Sequence, residues 1–318
     1  MIRDILTNSE EFQGILRDIK AKKNSHSYLF SSPDRFTARE MSRLVANALL
    51  CPDLCGKCEN CIKFQSEHPD IKYFPKKNQL LVEDSNYIVD ESFVRPIFAD
   101  KKIFIIDDFD NSTPASQNKL LKVLEEPNDN MFYLLSTSSL QNVLPTIRSR
   151  CFKVEIGAFD KKIVEGILSS TDVSSKKLCL SLGGGYLGKT IELSKKDNLE
   201  TLFNLATDIL YSLKSSKEVL IYSKKILDEK DDILLIFEII SLLLEDLIAI
   251  KLHEFNLVRL EDAEQKLKQV SDDYSLKCIE EIQKSITKSV QELKSLTNTS
   301  LVVDNFLMNL LEVKYLCK

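Results

Sequence analysis

The sequence predicts an α/β domain built on a parallel sheet and followed by an all-helical region, and three observations carry that prediction. Ile103-Phe104-Ile105-Ile106 is an uninterrupted apolar run, the pattern of a strand covered on both faces by helices. Phe132-Tyr133-Leu134-Leu135 repeats the pattern after a helical stretch, as strand–helix–strand alternation requires. Beyond Asn198 there is no glycine or proline, and apolar residues recur at helical spacing through 202–213, 219–227, 233–252, 263–270, 276–296 and 301–316. With 318 residues, the chain is long enough for more than one domain.

Residues 8–23 read as an amphipathic helix with Phe12, Ile15, Leu16 and Ile19 on one face. Residues 26–31 read as the first strand and Leu44, Val45, Ala48 and Leu49 as part of the helix after it. Cys51, Cys55, Cys58 and Cys61 follow at C-x3-C-x2-C-x2-C spacing, with Pro52 and Gly56 as turn residues. Four thiolates so close in sequence suit a tetrahedral zinc ion, and with no open position or catalytic base nearby the metal would be structural. His68 in His68-Pro69-Asp70-Ile71 reads as a capping or packing residue rather than a ligand, and 90–98 is expected to be the helix before the acidic strand. That strand ends in Asp107, Asp108 and Asp110, at the carboxyl edge where open α/β sheets handle ligands. Thr113-Pro114 then reads as N-cap and first helical residue, with Pro127 as the stop. The second strand ends in Ser136-Thr137-Ser138-Ser139, and the segment closes on Arg148-Ser149-Arg150-Cys151 before a strand at 152–155.

Two further stretches bear on chemistry. Residues 183–190, GGGYLGKT, satisfy the phosphate-loop pattern G-x-x-x-x-G-K-T, but the preceding 174–182 read as helix and no acidic strand follows. A phosphate loop needs a buried strand before it, so the run reads as a turn between helices and Lys189 not as a phosphate ligand. Residues 233–250 are apolar, yet Glu238, Glu245 and Asp246 interrupt them, which predicts a largely buried helix rather than a membrane span.

A net charge of −5 and a pI near 5.5 argue against a strong nucleic-acid magnet, so any DNA contact is expected to be shared with partners. The N-terminus carries no secretory pattern, and a cytoplasmic location is expected. Of eight cysteines, Cys151, Cys179, Cys278 and Cys317 are scattered, which with the 51–61 cluster favours metal over disulfides.

A strand ending in two acids, a helix ending Glu125-Glu126-Pro127, a strand ending in hydroxyls and then Ser149-Arg150-Cys151 resembles the Walker B, sensor 1 and arginine-finger succession of clamp-loader AAA+ proteins. The likeness is clearest over 10–155 and only architectural thereafter. It implies a fold of an AAA+ parallel-sheet domain at 1–158 with its zinc module at 51–61, a small helical lid domain at 159–198 and an all-helical collar domain at 199–318. The phosphate loop of that family falls on residues 32–39, SPDRFTAR. Every loop glycine is missing there, Ala38 replaces the lysine and Arg39 the hydroxyl. The resemblance therefore implies an ATP-incompetent subunit that binds no ATP, with Asp107 and Asp108 left as helix-entry caps and hydrogen-bond acceptors, and Lys189 as a relic of a sensor 2 residue. It further implies Arg150 as an arginine finger acting in trans. The implied partners are ATPase subunits of the gamma/tau type and a delta subunit, held through the collar, with sliding clamp and primer-template DNA in the same complex and no membrane. The other readings are an active loader ATPase and a zinc-bearing α/β scaffold without a loader role.

Overall fold

The computed structural model describes residues 2–168, 176–260, 263–295 and 298–316. Cys317 and the ends of two stretches read above as helix, 174–175 and 296, lie outside them. In the described residues the chain divides into two compact units, Met1–Asp172 with Gly183–Glu192, and Val173–Leu182 with Leu193–Lys318.

The first unit opens with α1 (Ile2–Thr7) and α2 (Glu10–Lys20), two helices where one was expected. The break falls at Ser9, whose side chain accepts the Phe12 N–H at 3.3 Å and so starts a second helix. Next come β1 (Ser27–Ser31), α3 (Arg35–Leu50), α4 (Glu59–Gln65), β2 (Ile71–Phe74), α5 (Val82–Glu91) and β3 (Lys102–Ile106). After these come α6 (Pro114–Glu125), β4 (Met131–Thr137), α7 (Pro145–Arg148), β5 (Phe152–Glu155) and α8 (Lys161–Leu168). Thr113 caps α6 by accepting the Ser116 N–H at 3.2 Å, with Pro114 at the first helical position.

The five strands form one parallel sheet in the order β2-β3-β4-β1-β5. Ile103, Phe104, Ile105 and Ile106 of β3 are fully buried, as are Tyr133, Leu134 and Leu135 of β4, which explains why neither run alternates with polar residues. Phe104 and Tyr133 stack across the pair, ring centroids 5.3 Å apart. This arrangement carries the ends of β1, β3 and β4 side by side at one carboxyl edge, the crevice where the site is built.

The helix expected at 90–98 is not there; α5 ends at Glu91 and the chain runs on as a loop to Asp100. Two forces redirect it. Pro96 restricts its predecessor to extended backbone. Asp70, fully buried, accepts the backbone N–H groups of Ile97 (2.6 Å), Phe98 (2.8 Å) and Ala99 (2.7 Å). His68 sits beside it as expected: its Nδ1 accepts the Asp70 N–H at 3.2 Å, its Nε2 faces Asn60 Oδ1 at 3.4 Å, and its ring meets Phe98 edge-on.

The second unit holds most of α9 (Lys176–Gly183), then α11 (Leu199–Ser212), α12 (Ser216–Asp228), α13 (Ile233–Lys251), α14 (Glu264–Val270), α15 (Leu276–Lys294) and α16 (Thr299–Leu316); the short α10 (Leu187–Ser194) precedes them. Among the described residues no helix is long and apolar enough to cross a membrane. In α13, Asp246 is the acid that turns inward; it accepts the backbone N–H groups of Arg259 (2.9 Å) and Leu260 (2.8 Å), and burial raises its pKa. At the end of α11, Leu210 O accepts from the buried Lys314 ammonium (3.1 Å) and from Tyr274 Oη (2.7 Å), which satisfies a carbonyl that the helix leaves open.

Replacing Asp70 should cost about 2–3 kcal/mol, because three partly buried N–H groups lose their acceptor. Burial opposes ionisation of Asp70, but the three N–H bonds outweigh it and hold the carboxyl below its usual range. Its contribution is therefore full above about pH 4, the unfolded value, and fades as pH falls through the lower folded one. Chemical unfolding from pH 7 down to pH 3 should show a steeper acid loss in the wild type than in Asp70→Asn.

Candidate functional site

At the carboxyl edge, α3 sends three arginines toward the acids that end β3. Arg35, Arg39 and Arg43 are spaced four apart and so share a helix face. Arg39 makes a two-pronged bond to Asp108, Nε to Oδ1 at 3.0 Å and Nη2 to Oδ2. Arg43 Nη2 donates to Asp107 Oδ2 at 2.8 Å. Arg35 donates from Nη2 to Asp110 Oδ2 at 3.1 Å and from Nε to Ser138 Oγ at 3.0 Å. The hydroxyls of β4 complete the lattice: Ser136 Oγ donates to Asp107 Oδ1 at 3.0 Å and accepts the Asp108 N–H at 3.3 Å, and Ser138 Oγ donates to Asp110 Oδ2 at 2.8 Å. The bond to Asp108 chiefly raises the Arg39 pKa above its ordinary value.

Asp107 and Asp108 are thus hydrogen-bond acceptors, as expected, but they cap nothing. The Asp108 side chain makes no cap bond to the 3-10 turn Phe109–Asn111, and Thr113 serves α6. Two carboxylates at the end of a buried strand need a cation. Here α3 supplies it from within the chain.

The anion at the start of α3 is also internal. Asp34 accepts the Phe36 N–H at 3.2 Å and the Thr37 hydroxyl at 2.5 Å, at the helix N-terminus where unpaired N–H groups and the helix dipole favour negative charge. Its Oδ2 also accepts the Gly188 N–H at 2.7 Å. Gly188 belongs to the glycine run that mimics a phosphate loop. That run is a turn between α9 and α10, with Gly184 and Gly185 at φ +60 and +85, and it follows a helix rather than a strand. A Cβ at Gly188 would collide with the Asp34 carboxylate and Phe36, so the glycine is needed for close approach to a side chain.

Cys51, Cys55, Cys58 and Cys61 converge, their Sγ atoms all within 4.8 Å of one another. The Cys51–Cys55 separation of 3.7 Å is close to the edge of a tetrahedron with metal–sulfur bonds of about 2.3 Å, roughly 3.8 Å. Leu54 and Gly56 turn the chain with φ of +47 and +68. The N–H groups of Lys57 and Cys58 hold the Cys55 thiol below its usual range, whereas burial pushes Cys61 up. The cluster could hold a metal ion such as zinc, and its donors suit one.

Arg150 follows α7 at the rim. Its Nη2 donates to Glu125 Oε1 and its Nη1 to Thr146 O, both at 3.0 Å. Both side chains of the ion pair are substantially exposed. Arg148 is half-buried at the end of α7; Lys189 lies in α10. Asp34, Arg35 and Arg43 were not singled out from sequence. The signal for the arginines was their i, i+4, i+8 spacing, directly after a strand whose neighbours end in acids.

One edge of a parallel α/β sheet thus gathers the loop after β1, the acids after β3 and the hydroxyls after β4. Residues 7–160, just under half of the chain, match the family described as "DNA polymerase III, delta subunit". Relatives of two kinds match. The gamma/tau subunit of Mycobacterium tuberculosis (strain ATCC 25618 / H37Rv) is 31% identical over 140 residues, 42% of this chain and 24% of that one. The delta' subunit of Bacillus subtilis (strain 168) is 28% identical over 190 residues, 58% of each chain. The matched region thus spans about a quarter of the gamma/tau relative and little more than half of the delta' relative. Among solved structures, a gamma subunit-related protein of Thermotoga maritima aligns with 96% of this chain and all of its own, at 19% identity and a TM-score of 0.47.

Because Arg39 is 41% exposed and Asp108 only 11%, removing the two partners should not be symmetrical. Arg39→Ala leaves a poorly hydrated carboxylate with only Arg35, 3.8 Å away, and should destabilise more than Asp108→Ala; a double-mutant cycle on unfolding midpoints should give a coupling of about 1 kcal/mol, falling with salt.

Proposed function

We propose that the chain is a delta-prime-type, ATP-incompetent subunit of a bacterial sliding-clamp loader, acting in DNA replication. The observation that carries this reading is the self-filled pocket. In an AAA+ ATPase the loop N–H groups take phosphate and the acids organise magnesium; here the Asp34 carboxylate stands at the first place and the guanidinium groups of Arg39 and Arg43 at the second. Residues 32–39, with no glycine or lysine, leave a nucleotide neither the backbone cradle nor the cation it needs.

The subunit's contribution is then structural and in trans. Its 1–158 domain presents Arg150 to the nucleotide site of a neighbouring gamma/tau-type ATPase, 159–198 forms the lid, and 199–318 forms the collar that joins those ATPases and a delta subunit. Clamp and primer-template DNA are met within that cytoplasmic complex. The Glu125 pair does not prevent this role: an exposed ion pair is worth about 0–1 kcal/mol, so a phosphate can displace the carboxylate. Cys51, Cys55, Cys58 and Cys61 would hold one structural zinc ion, whose chemistry is to fasten the segment between α3 and α4. The motor-subunit reading draws on the gamma/tau relatives, and it requires a chain that binds ATP.

Three measurements test these statements. Protein prepared without chelators should carry one equivalent of zinc by elemental analysis, and Cys55→Ser should lower both metal content and unfolding temperature. The isolated chain should show neither saturable ATP binding nor hydrolysis, and Lys189→Ala should change nothing; micromolar binding would favour the motor subunit. Mixed with clamp-loader ATPase and delta subunits, the chain should form a stable complex whose clamp- and DNA-stimulated ATPase falls on Arg150→Ala with assembly intact. Failure to join such a complex would leave a scaffold role.

A further inference from the structure

Arg148 and Arg150 differ in one respect that sequence does not show. The Arg150 guanidinium is tied to Glu125 and Thr146. Among the described residues the Arg148 side chain has no hydrogen-bond or ion-pair partner, and its Nε is a buried donor with nothing to donate to. Arg150 Nε is likewise unpartnered, so two guanidinium groups two residues apart share the same deficit. Two residues of chain span at most about 7 Å, so their Cα atoms address one small region. Buried donors without acceptors are rare in folded chains, and an explanation is called for where two adjoin.

A misplaced core arginine does not account for it. Arg148 is the last residue of α7, whose preceding turn is fixed by buried Ile147 and by Pro145 at the first helical position, so its backbone is held while the residue as a whole stays partly exposed. Glu125, the carboxylate that bonds an arginine at this rim, is already engaged by Arg150. A permanently charged planar fork, held on a short helix without an internal anion, is poised for an external one.

We propose that Arg148 is a second guanidinium of the trans-acting site: with Arg150 it contacts the nucleoside triphosphate bound by the adjacent ATPase subunit, each fork taking different phosphate oxygens. This rests on the clamp-loader reading above. Two donors of fixed geometry distribute charge stabilisation over several phosphate oxygens as charge shifts in phosphoryl transfer. The groups that would meet the phosphate are the terminal Nη donors, since both Nε atoms are buried; a phosphate is favoured over a carboxylate because its several oxygens can serve two forks at once, and one carboxylate already meets only part of Arg150.

The test is steady-state ATP hydrolysis by the complete reconstituted complex with clamp and primed DNA, alongside the affinity of the chain for its partners. Wild type, Arg148→Ala, Arg148→Lys and Arg150→Ala are compared. Arg148→Ala should reduce kcat by about tenfold or more with assembly affinity within about twofold, and lysine should not restore it, because a point charge lacks the fork. If Arg150→Ala impairs turnover and Arg148→Ala does not, the inference is overturned while the trans-acting reading stands. If neither variant alters turnover, that reading fails and this inference with it. Weakened assembly at unchanged turnover per complex would mean that Arg148 pairs with a partner's carboxylate, which also overturns it. A wild-type chain that joins no loader subunits removes the premise.

Discussion

The charge balance between α3 and the end of β3 is the constraint on which the first unit depends. Asp107, Asp108 and Asp110 stand at the end of a fully buried strand, where three carboxylates repel one another and are poorly hydrated. Arg39 and Arg43 answer Asp108 and Asp107, Arg35 answers Asp110 and also reaches Asp108, and Ser136 and Ser138 tie the pairs to β4. Because α3 also packs on β1, β3 and β4, the same ladder fixes the helix over the centre of the sheet. Polar networks of this kind set geometry more than they add stability, since their desolvation offsets much of their attraction.

Much of the architecture was legible in the residues because several local signals agreed. Apolar runs without alternation marked β3 and β4 as doubly covered strands, Thr113-Pro114 marked the start of α6, and the lack of glycine and proline after Asn198 marked the helical unit. The helix expected at 90–98 failed where a local pattern met a tertiary one. Nothing in that stretch announces that a carboxylate twenty-odd residues upstream will collect three of its N–H groups. Asp246 is a similar case, since sequence marked three acids in α13 without telling which would turn inward to hold the loop at Arg259 and Leu260.

The site was legible as an inventory rather than as a geometry. The cysteine spacing led directly to a cluster whose sulfurs adjoin, because short spacers leave the chain few ways to keep them apart. The altered phosphate loop was visible as missing residue types. That Asp34 and the α3 arginines occupy the corresponding positions was not, because a helical spacing of four gives a face but not what the face meets. The partner of Arg150 and the lack of one for Arg148 were beyond the sequence for the same reason.

The bond from Gly188 N–H to Asp34 has a thermodynamic consequence of its own. A turn that closes on a diffusible phosphate is populated in proportion to that ligand's activity, so it opens and shuts with the ratio of nucleoside triphosphate to diphosphate around it. Here the acceptor is part of the polypeptide, at an effective concentration set by chain connectivity alone. Its occupancy is therefore indifferent to the energy charge of the surroundings: what sets how often the segment around Gly188 meets the start of α3 is the strength of an internal bond, not the supply of a ligand.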